Sequence, residues 1–363
     1  MWFSVGVFWQ DQGMKQKEPI PVTVLTGFLG AGKTTLLNHL LTQNHGYKCA
    51  IIINEFGSIS IDHQLVVGAD EEIVELNNGC LCCRVRGDLI KSLNSLFQRQ
   101  KRFDYVLVET TGLADPGPVA QTFGQSELAG KLRLDAIITV ADAKHLEKEL
   151  NDAPEATPQI AFADVIMLNK VDLVAPDELL HVEARIRRIN PLAKIYPTQR
   201  SQIDVGLLLN LRARDVTAPL ELAALPAVDH GHHQQDHECG KDCDHDHDHD
   251  HDHEPDAEVH HHHDESVTSF YFEDDRPLDL QKTEKWLGDV VNTLGASIYR
   301  SKGILHIKGQ AKRIVFQGVQ MMFEAVPDRF WNSGEKKRSQ LVFIGRDLDE
   351  VQLRSGFESC LAD

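Results

Sequence analysis

The chain has 363 residues, of which 42% are hydrophobic, and its 55 acidic residues outnumber its 37 basic residues to give a formal net charge of −18. This length exceeds what one compact core usually accommodates, so we expect two domains. No apolar stretch reaches the roughly 18 to 20 residues that a membrane span needs, and the acidic balance disfavours nucleic acid, whose phosphates require a basic surface. We therefore expect a soluble protein with neither a membrane nor a nucleic-acid partner.

Short β-branched runs alternate with longer amphipathic segments in the first part of the chain. Patterns typical of buried strands occupy residues 22–25, 49–53, 105–108, 136–140 and 165–168. Helical patterns occupy residues 33–42, 88–100 and 176–189. This alternation predicts the α/β fold class, with a mostly parallel sheet between flanking helices.

The composition changes twice after this region. Residues 229–265 hold fourteen acidic residues and thirteen of the nineteen histidines but no aromatic residue, which predicts a disordered linker because little surface could be buried. Beyond them, a smaller α+β domain is predicted by strand patterns at 267–272, 304–308, 313–324 and 339–344 and by helical patterns at 278–294 and 348–357. The expected order is an N-terminal tail at 1–18, a first domain at 19–225, the linker at 226–265 and a C-terminal domain at 266–363.

A glycine-rich motif follows the first predicted strand. Residues 27–34 match G-x-x-x-x-G-K-[ST] and lead directly into a predicted helix. In that setting backbone N–H groups surround phosphates, Lys33 reaches the β- and γ-phosphates, and the Thr34 hydroxyl ligates magnesium. A chance glycine-rich turn would not need a strand and a helix on either side. The residues predicted to bind the nucleotide here are Thr26, Gly27, Gly30, Ala31, Gly32, Lys33, Thr34 and Thr35.

The base of the nucleotide is indicated by a second motif, which follows the strand at 165–168. It contains Asn169, Lys170 and Asp172. The Asp172 carboxylate can accept hydrogen bonds from N1–H and N2–H of guanine, a pair that adenine lacks. The motif therefore predicts GTP rather than ATP, whereas four such residues alone would also suit a surface loop.

A third motif follows the strand at 105–108. Glu109 suits contact with the magnesium shell, and the Gly112 N–H suits a sensor of the γ-phosphate. Glu109 as a solvated strand end is the alternative. No residue is recognisable as the group that orients the attacking water, so we expect a GTPase with slow intrinsic hydrolysis whose catalytic residues are Lys33, Thr34, Glu109 and Gly112.

Three of the seven cysteines lie within four positions, at Cys80, Cys82 and Cys83. Once deprotonated, they could supply three ligands of a tetrahedral zinc site, with Glu55 as a candidate fourth ligand. A buried cluster of small side chains or a redox pair would use the same cysteines, and Glu55 could equally face solvent. The odd number and crowding of the cysteines favour reduced thiols and a cytoplasmic setting.

These motifs come in the order seen in the CobW family of P-loop GTPases, which are relatives of the nickel-insertion GTPases UreG and HypB. The resemblance rests on residues 27–34, 54–57, 79–83, 109–112, 169–172, 318–320 and 341–344. It implies a P-loop NTPase-type sheet and a metallochaperone that binds zinc or cobalt at the three cysteines and delivers it to a client metalloprotein under nucleotide control. Ile53 and Ser58, beside the 54–57 run, are not acidic as in some relatives, which puts an extra metal site there in doubt.

The linker carries an alternating histidine and aspartate run. Neutral imidazoles in a flexible acidic chain would bind several zinc, nickel or cobalt ions with little selectivity. A linker without function or a purification tag is the alternative, but tags normally lie at a terminus. The candidate ligands are His245, His247, His249, His251 and His253.

Three functions share these motifs. The leading interpretation is a GTP-hydrolysing metallochaperone for zinc, with cobalt or nickel as alternative ions. A cobalt-delivering accessory GTPase of cobalamin synthesis differs only in its client, and a metal storage or sensing protein would have a vestigial nucleotide site, against which the intact Lys33, Thr34 and Asp172 speak. The partners considered are a client metalloprotein and a second copy of the chain in a homo-oligomer.

Overall fold

The computed structural model describes residues 18–54, 72–76, 82–98, 103–124, 128, 130–213 and 266–362, and every structural statement below concerns these residues. The first part contains the strands β1 (Ile20–Thr26), β2 (Cys49–Asn54), β3 (Glu72–Leu76), β4 (Tyr105–Glu109), β5 (Leu132–Asp142), β6 (Val165–Asn169) and β7 (Lys194–Pro197). Its helices are α1 (Lys33–Thr42), α2 (Cys82–Gln98), α3 (Pro116–Thr122), α4 (Leu146–Asp152), α5 (Ala156–Phe162) and α6 (Pro176–Ile189).

The seven strands of this part form one sheet in the order β3-β2-β4-β1-β5-β6-β7. Every pair of neighbours is parallel, which confirms the predicted α/β class. Strands β4 and β6 are buried along their whole length because helices cover both faces of the sheet. The loops after β1, β4, β5 and β6 all leave the same edge, where ligands of open parallel sheets bind.

The second part is a five-stranded antiparallel sheet in the order β11-β10-β9-β12-β8. Its strands are β8 (Val267–Asp274), β9 (Ile298–Leu305), β10 (Lys312–Val319), β11 (Met322–Phe330) and β12 (Ser339–Arg346). Helices α7 (Leu280–Leu294) and α8 (Glu350–Ser359) pack on one face around the Phe272 and Phe343 rings.

The other face of this sheet packs against helices α3, α5 and α6 of the first part. The Phe162 ring of α5 stacks on Tyr299 of β9 with centroids 4.8 Å apart. Arg300, which is 2% exposed, forms an ion pair with Asp164 directly after α5. The two sheets are thus joined by an apolar interface that contains a buried charge pair.

Several predicted elements differ from the observed ones. The run at 313–324 is a hairpin of β10 and β11 and not one strand. The chain turns at Gln320, which has a left-handed φ of 51°, and because glutamine rarely adopts this conformation the sequence gives no sign of the turn. The predicted strand at 304–308 overlaps only the last two residues of β9, which runs from Ile298 to Leu305. Helix α2 begins at Cys82, six residues before the predicted start. The sequence analysis did not predict strands β3 and β7 or helices α3 to α5; each of these helices has only seven residues, which is too short for a clear helical period.

Within the described parts of the chain, none of the helices combines the length and the apolar character of a transmembrane segment.

Candidate functional site

The loop between β1 and α1 approaches neighbouring backbone so closely that it requires glycine. A Cβ on Gly27, whose φ is 133°, would lie 2.1 Å from the carbonyl oxygen of Val140 in β5. A Cβ on Gly32, whose φ is 114°, would lie 2.6 Å from the Nδ2 atom of Asn169. The loop is therefore inserted between β5 and the loop after β6, with the N-terminus of α1 directed at the space it encloses.

Lys33 and Thr34 open helix α1 below this loop. Lys33 is 8% exposed, and its Nζ atom donates a hydrogen bond to the carbonyl oxygen of Phe28, 3.0 Å away, so the ammonium group lies inside the loop. The Thr34 hydroxyl donates to Oε1 of Glu109 across 3.1 Å. Glu109 ends β4 and is only 3% exposed, so it is not the solvated strand end considered above. A hydroxyl beside a buried carboxylate is a set of oxygen donors that fits magnesium.

The segment after β4 lies against the same loop. The Thr110 N–H donates to the Leu25 carbonyl across 2.9 Å, and the Thr110 hydroxyl donates to Thr26 Oγ1 across 3.0 Å. A Cβ on Gly112 would lie 2.7 Å from both the backbone nitrogen and the side chain of Leu29. The absence of a side chain at Gly112 is what permits this contact between the two loops.

Asn169 connects the loop after β6 to two others. It is 2% exposed, and its Nδ2 donates to the Ala31 carbonyl at 2.9 Å and to Ser201 Oγ at 3.1 Å. Its Oδ1 accepts from the Ser201 N–H at 2.8 Å and from the Thr198 hydroxyl at 3.2 Å. Asp172, three residues further on, is exposed and available to a ligand at this edge.

Ser201 and Thr198 were missed by the sequence analysis. They lie in the loop after β7, and the Ser201 hydroxyl also donates to the Gly32 carbonyl at 3.1 Å. Ser201 is fully buried with a left-handed φ of 55°. The only signal was the pair Ile195 and Tyr196 followed by Pro197 and polar residues, and a four-residue strand is too short to identify from such a pattern.

Asp142 is a third residue that the sequence analysis missed. It ends β5, and its Oδ2 accepts from Lys170 Nζ at 2.7 Å and pairs with His145 Nδ1 at 2.9 Å. Burial raises the pKa of Asp142, but hydrogen bonds from Lys170, His145 and the Lys144 N–H outweigh burial and leave this pKa below its usual value. Asp142 therefore holds Lys170, which itself has a left-handed φ of 60°, in one position.

Glu149 in α4 lies beside this charge pair. Burial, followed by repulsion from Asp142, raises the pKa of Glu149 to about 7, although His145, Lys170 and Lys33 act in the opposite direction. Its Oε2 atom is buried and has no hydrogen-bond partner among the residues that the structure describes. The phosphate loop thus has near its lysine a carboxyl group that changes charge close to neutral pH.

The predicted metal ligands fall mostly outside the described residues. Cys80, Glu55 and the histidine run are not described, and for Cys82 and Cys83 only the backbone is, as the first two residues of α2. The part of the chain that the structure describes contains no group of three or more His, Cys, Asp or Glu side chains suited to a metal ion.

Comparison with known proteins identifies both parts of the chain. Residues 21–197 match the family described as CobW/HypB/UreG, nucleotide-binding domain, and residues 267–361 match the cobalamin synthesis protein cobW C-terminal domain. The chain is 36% identical to the Escherichia coli protein named zinc chaperone YjiA over 93% of this chain and 98% of that protein.

A further relative and a solved structure of YjiA agree with this match. The Schizosaccharomyces pombe zinc-regulated GTPase metalloprotein activator 1 is 34% identical over 92% of this chain and 84% of its own length. The crystal structure of Zn(II)-bound YjiA GTPase from E. coli superposes with a TM-score of 0.70 at 31% identity, covering 95% of this chain and 100% of that one.

The contact of Gly112 with Leu29 predicts the effect of one methyl group. In the Gly112→Ala variant the new Cβ must displace the phosphate loop, and we expect guanine-nucleotide affinity, measured by fluorescent-nucleotide titration, to fall about tenfold or more, which is about 1.4 kcal/mol. Gly288→Ala provides the matched control, because that helical glycine has open space around it. The control should bind nucleotide normally and gain up to about 1 kcal/mol of stability. Unchanged binding in Gly112→Ala would contradict the assigned contact.

The raised pKa of Glu149 predicts a pH dependence of stability. The folded protein holds this proton more tightly than the unfolded chain does. The protonated Glu149 carboxyl group therefore contributes fully to the free energy of unfolding below its ordinary pKa of 4.5, and this contribution is lost as the pH rises through 7. When the pH is raised from 5 to 8, we expect the free energy of unfolding of the Glu149→Gln variant to increase by about 1–2 kcal/mol relative to that of the wild type. Urea denaturation at both pH values measures this difference. Glu284→Gln, at an exposed position of α7, should show no such gain.

Proposed function

This chain belongs to the CobW/HypB/UreG family, and from that premise we propose that it is a GTP-hydrolysing metallochaperone that binds zinc and delivers it to a client protein under control of the nucleotide state. The observation that carries the nucleotide part is the Thr34–Glu109 hydrogen bond inside a phosphate loop that Asn169 ties to the loop after β6. The metal part rests on the names of the relatives, a zinc chaperone and a zinc-regulated activator.

The phosphates of GTP are proposed to lie in the loop between β1 and α1. The backbone N–H groups of residues 27–35 and the N-terminus of α1 would surround them, and Lys33, now bonded to the Phe28 carbonyl, would turn to the β- and γ-phosphates. Thr34 and Glu109 would hold magnesium, which neutralises phosphate charge when bound. The buried position of Glu109 at the end of β4 supports this role, because its carboxylate lies beside the Thr34 hydroxyl and the two groups supply the oxygen ligands that magnesium prefers.

Guanine is proposed to bind between Lys170 and Asp172. The exposed Asp172 carboxylate would accept from N1–H and N2–H, and the Lys170 stem would cover one face of the base. The Asp142–Lys170 ion pair supports this arrangement, because it orders a side chain that would otherwise lose rotamer entropy on binding.

Hydrolysis is proposed to be slow without a partner. The Gly112 segment lies against the phosphate loop, which suits a sensor of the γ-phosphate. In the described part of the chain we assign no residue to the orientation of the attacking water, so the intrinsic rate is expected to be low.

Zinc is proposed to bind as cargo at Cys80, Cys82 and Cys83, with Glu55 as a fourth ligand, and cobalt or nickel are ions with related chemistry. The start of α2 at Cys82 places two of the three cysteines at the first two positions of a helix. Helix α2 packs against α3, which directly follows the Gly112 segment. A nucleotide-dependent shift of that segment would therefore be transmitted to the helix that carries two of the cysteines.

The remaining assignments complete the proposal. The histidine run from His245 to His253 in the linker at 226–265 would collect ions in the cytoplasm, and the C-terminal domain at 266–363 would help to contact the client. The tail at 1–18 receives no role, and the nucleotide domain spans 19–225.

Base recognition gives the first test of this function. In the Asp172→Asn variant the amide cannot accept both guanine N–H groups, so GTP affinity should fall about 100-fold, or about 2.7 kcal/mol, while xanthosine triphosphate, which presents an oxygen in place of the amino group, should bind more tightly than in the wild type. Competition with a fluorescent nucleotide measures both affinities. The control is Asp177→Asn, an exposed aspartate in the first turn of α6. Parallel losses for both nucleotides would argue against contact with the base.

Nucleotide control of zinc gives the second test. Zinc affinity is measured by chelator competition on protein lacking residues 229–265, with a GTP analogue or GDP bound. We expect at least a tenfold difference between the two states, equivalent to about 1.4 kcal/mol of coupling, and loss of this site when Cys80, Cys82 and Cys83 are replaced by serine. Equal affinities in both states would remove nucleotide control from the proposal, because a ligand without differential affinity cannot drive transfer.

A further inference from the structure

Gln159 of helix α5 is a buried polar residue that has no part in the assignments above. It is 2% exposed, and its Nε2 atom donates hydrogen bonds to the Gly112 carbonyl at 3.0 Å and the Ala114 carbonyl at 3.1 Å. Both N–H bonds of one side-chain amide are thus used on a single turn, which lies 47 residues earlier in the chain. That turn, residues 112–114, is the segment that contacts the phosphate loop at Leu29.

The backbone that carries Gln159 is itself held in place. The Thr139 hydroxyl of β5 donates to the Gln159 carbonyl across 2.6 Å. Asn190, which directly follows α6, donates from Nδ2 to three carbonyls at the end of α5. These are the carbonyls of Ile160, Ala161 and Ala163, at 2.8, 3.2 and 2.9 Å. These hydrogen bonds hold the backbone on both sides of the Gln159 side chain, so its amide is a preorganised donor.

Helix α5 also packs against the antiparallel sheet of the second part. Phe162 stacks on Tyr299, and Asp164, just beyond the helix, pairs with Arg300. The turn is therefore tied to a helix whose far end is embedded in a large apolar interface. A short turn that contains glycine would otherwise have considerable backbone freedom, and hydrogen bonds to two of its carbonyls remove much of it.

We propose that Gln159 is a positioning residue for GTP hydrolysis and for the discrimination of GTP from GDP. It fixes the orientation of the Gly112 and Ala114 peptide groups and so holds the turn at the distance from the phosphate loop at which a γ-phosphate is sensed. This inference rests on the proposed GTPase function. Gln159 touches neither nucleotide nor metal in this role and acts through the turn.

The chemistry of the amide predicts which replacements fail. The Gln159→Glu variant keeps the size of the side chain but places a carboxylate oxygen against two carbonyl oxygens, so both hydrogen bonds are replaced by repulsion. The Gln159→Met variant keeps the volume, removes the donor and adds no charge, so it tests the same loss in a milder form.

Asn190→Asp is the matched control. This change also removes a buried amide donor from three carbonyls at the end of α5, but Asn190 makes no hydrogen bond to the turn at 112–114. The Asp side chain can still accept from the Leu192 and Ala193 N–H groups, as Asn190 Oδ1 does. It therefore reports what weakening of the helix alone does to nucleotide binding.

The experiment uses the full chain with magnesium. Affinities for a non-hydrolysable GTP analogue and for GDP are measured together with kcat and KM for GTP and with the melting temperature. For both Gln159 variants we expect analogue affinity and kcat to fall tenfold or more while GDP affinity changes less than about threefold. Asn190→Asp should lower the melting temperature at least as much and leave the ratio of analogue to GDP affinity unchanged.

Two results would overturn the inference. Gln159→Met could weaken the analogue and GDP equally, or it could alter the affinity ratio no more than Asn190→Asp does; either outcome leaves Gln159 as an ordinary buried polar residue. A wild-type protein that neither hydrolyses GTP nor distinguishes it from GDP would instead refute the proposed function, and the wild-type measurement separates that failure from the first.

Discussion

The site depends on the hydrogen bonds of one buried amide, that of Asn169. Strands β1, β6 and β7 deliver their loops to the same edge of the sheet, but parallel pairing alone does not set the distances between these loops. Asn169 uses its donor and acceptor atoms on Ala31, Ser201 and Thr198, and so joins the phosphate loop to the loops after β6 and β7. Leaving such a group unpaired would cost about 1–3 kcal/mol, which favours one arrangement of the three loops.

The same principle operates on the other side of the phosphate loop. There Gln159 supplies two hydrogen bonds to the turn at 112–114, and helix α5, which carries it, lies under the second sheet. Helix α3, which begins just after this turn, also contacts that sheet, through the pair Gln121 and Gln320. A change in the turn would therefore reach the C-terminal part by two routes, which gives the second domain a physical connection to the nucleotide site.

Two carboxyl groups near the site, those of Asp142 and Glu149, differ in their ionisation. The pKa of Asp142 lies below its usual value because Lys170 and His145 form hydrogen bonds with its carboxylate. The pKa of Glu149, in contrast, is raised by burial and by repulsion from Asp142. The two carboxyl groups differ chiefly in their partners, because the hydrogen bonds that lower the pKa of Asp142 have no counterpart at Glu149 in the described part of the chain. The partial protonation of Glu149 near neutral pH lowers the negative charge that an incoming triphosphate would meet.

The sequence by itself determined the features that depend on local bonding: the phosphate loop between a strand and a helix, the Asn169–Asp172 motif after a buried strand, the parallel α/β class, and the resemblance to a family that the comparisons confirmed. The phosphate loop and the fold class follow from glycine conformation, helix termini and periodicity within about ten residues, whereas the resemblance rests on the order of several such motifs along the chain. Only the tertiary structure revealed Ser201, Asp142 and Gln159, whose partners lie tens of residues away in the chain. It also showed that residues 313–324 form a hairpin, because the left-handed turn there is built on glutamine and stabilised by strand pairing rather than by a turn-forming residue. Such contacts are decided by which strands pair and which helices pack, and no local pattern records that choice.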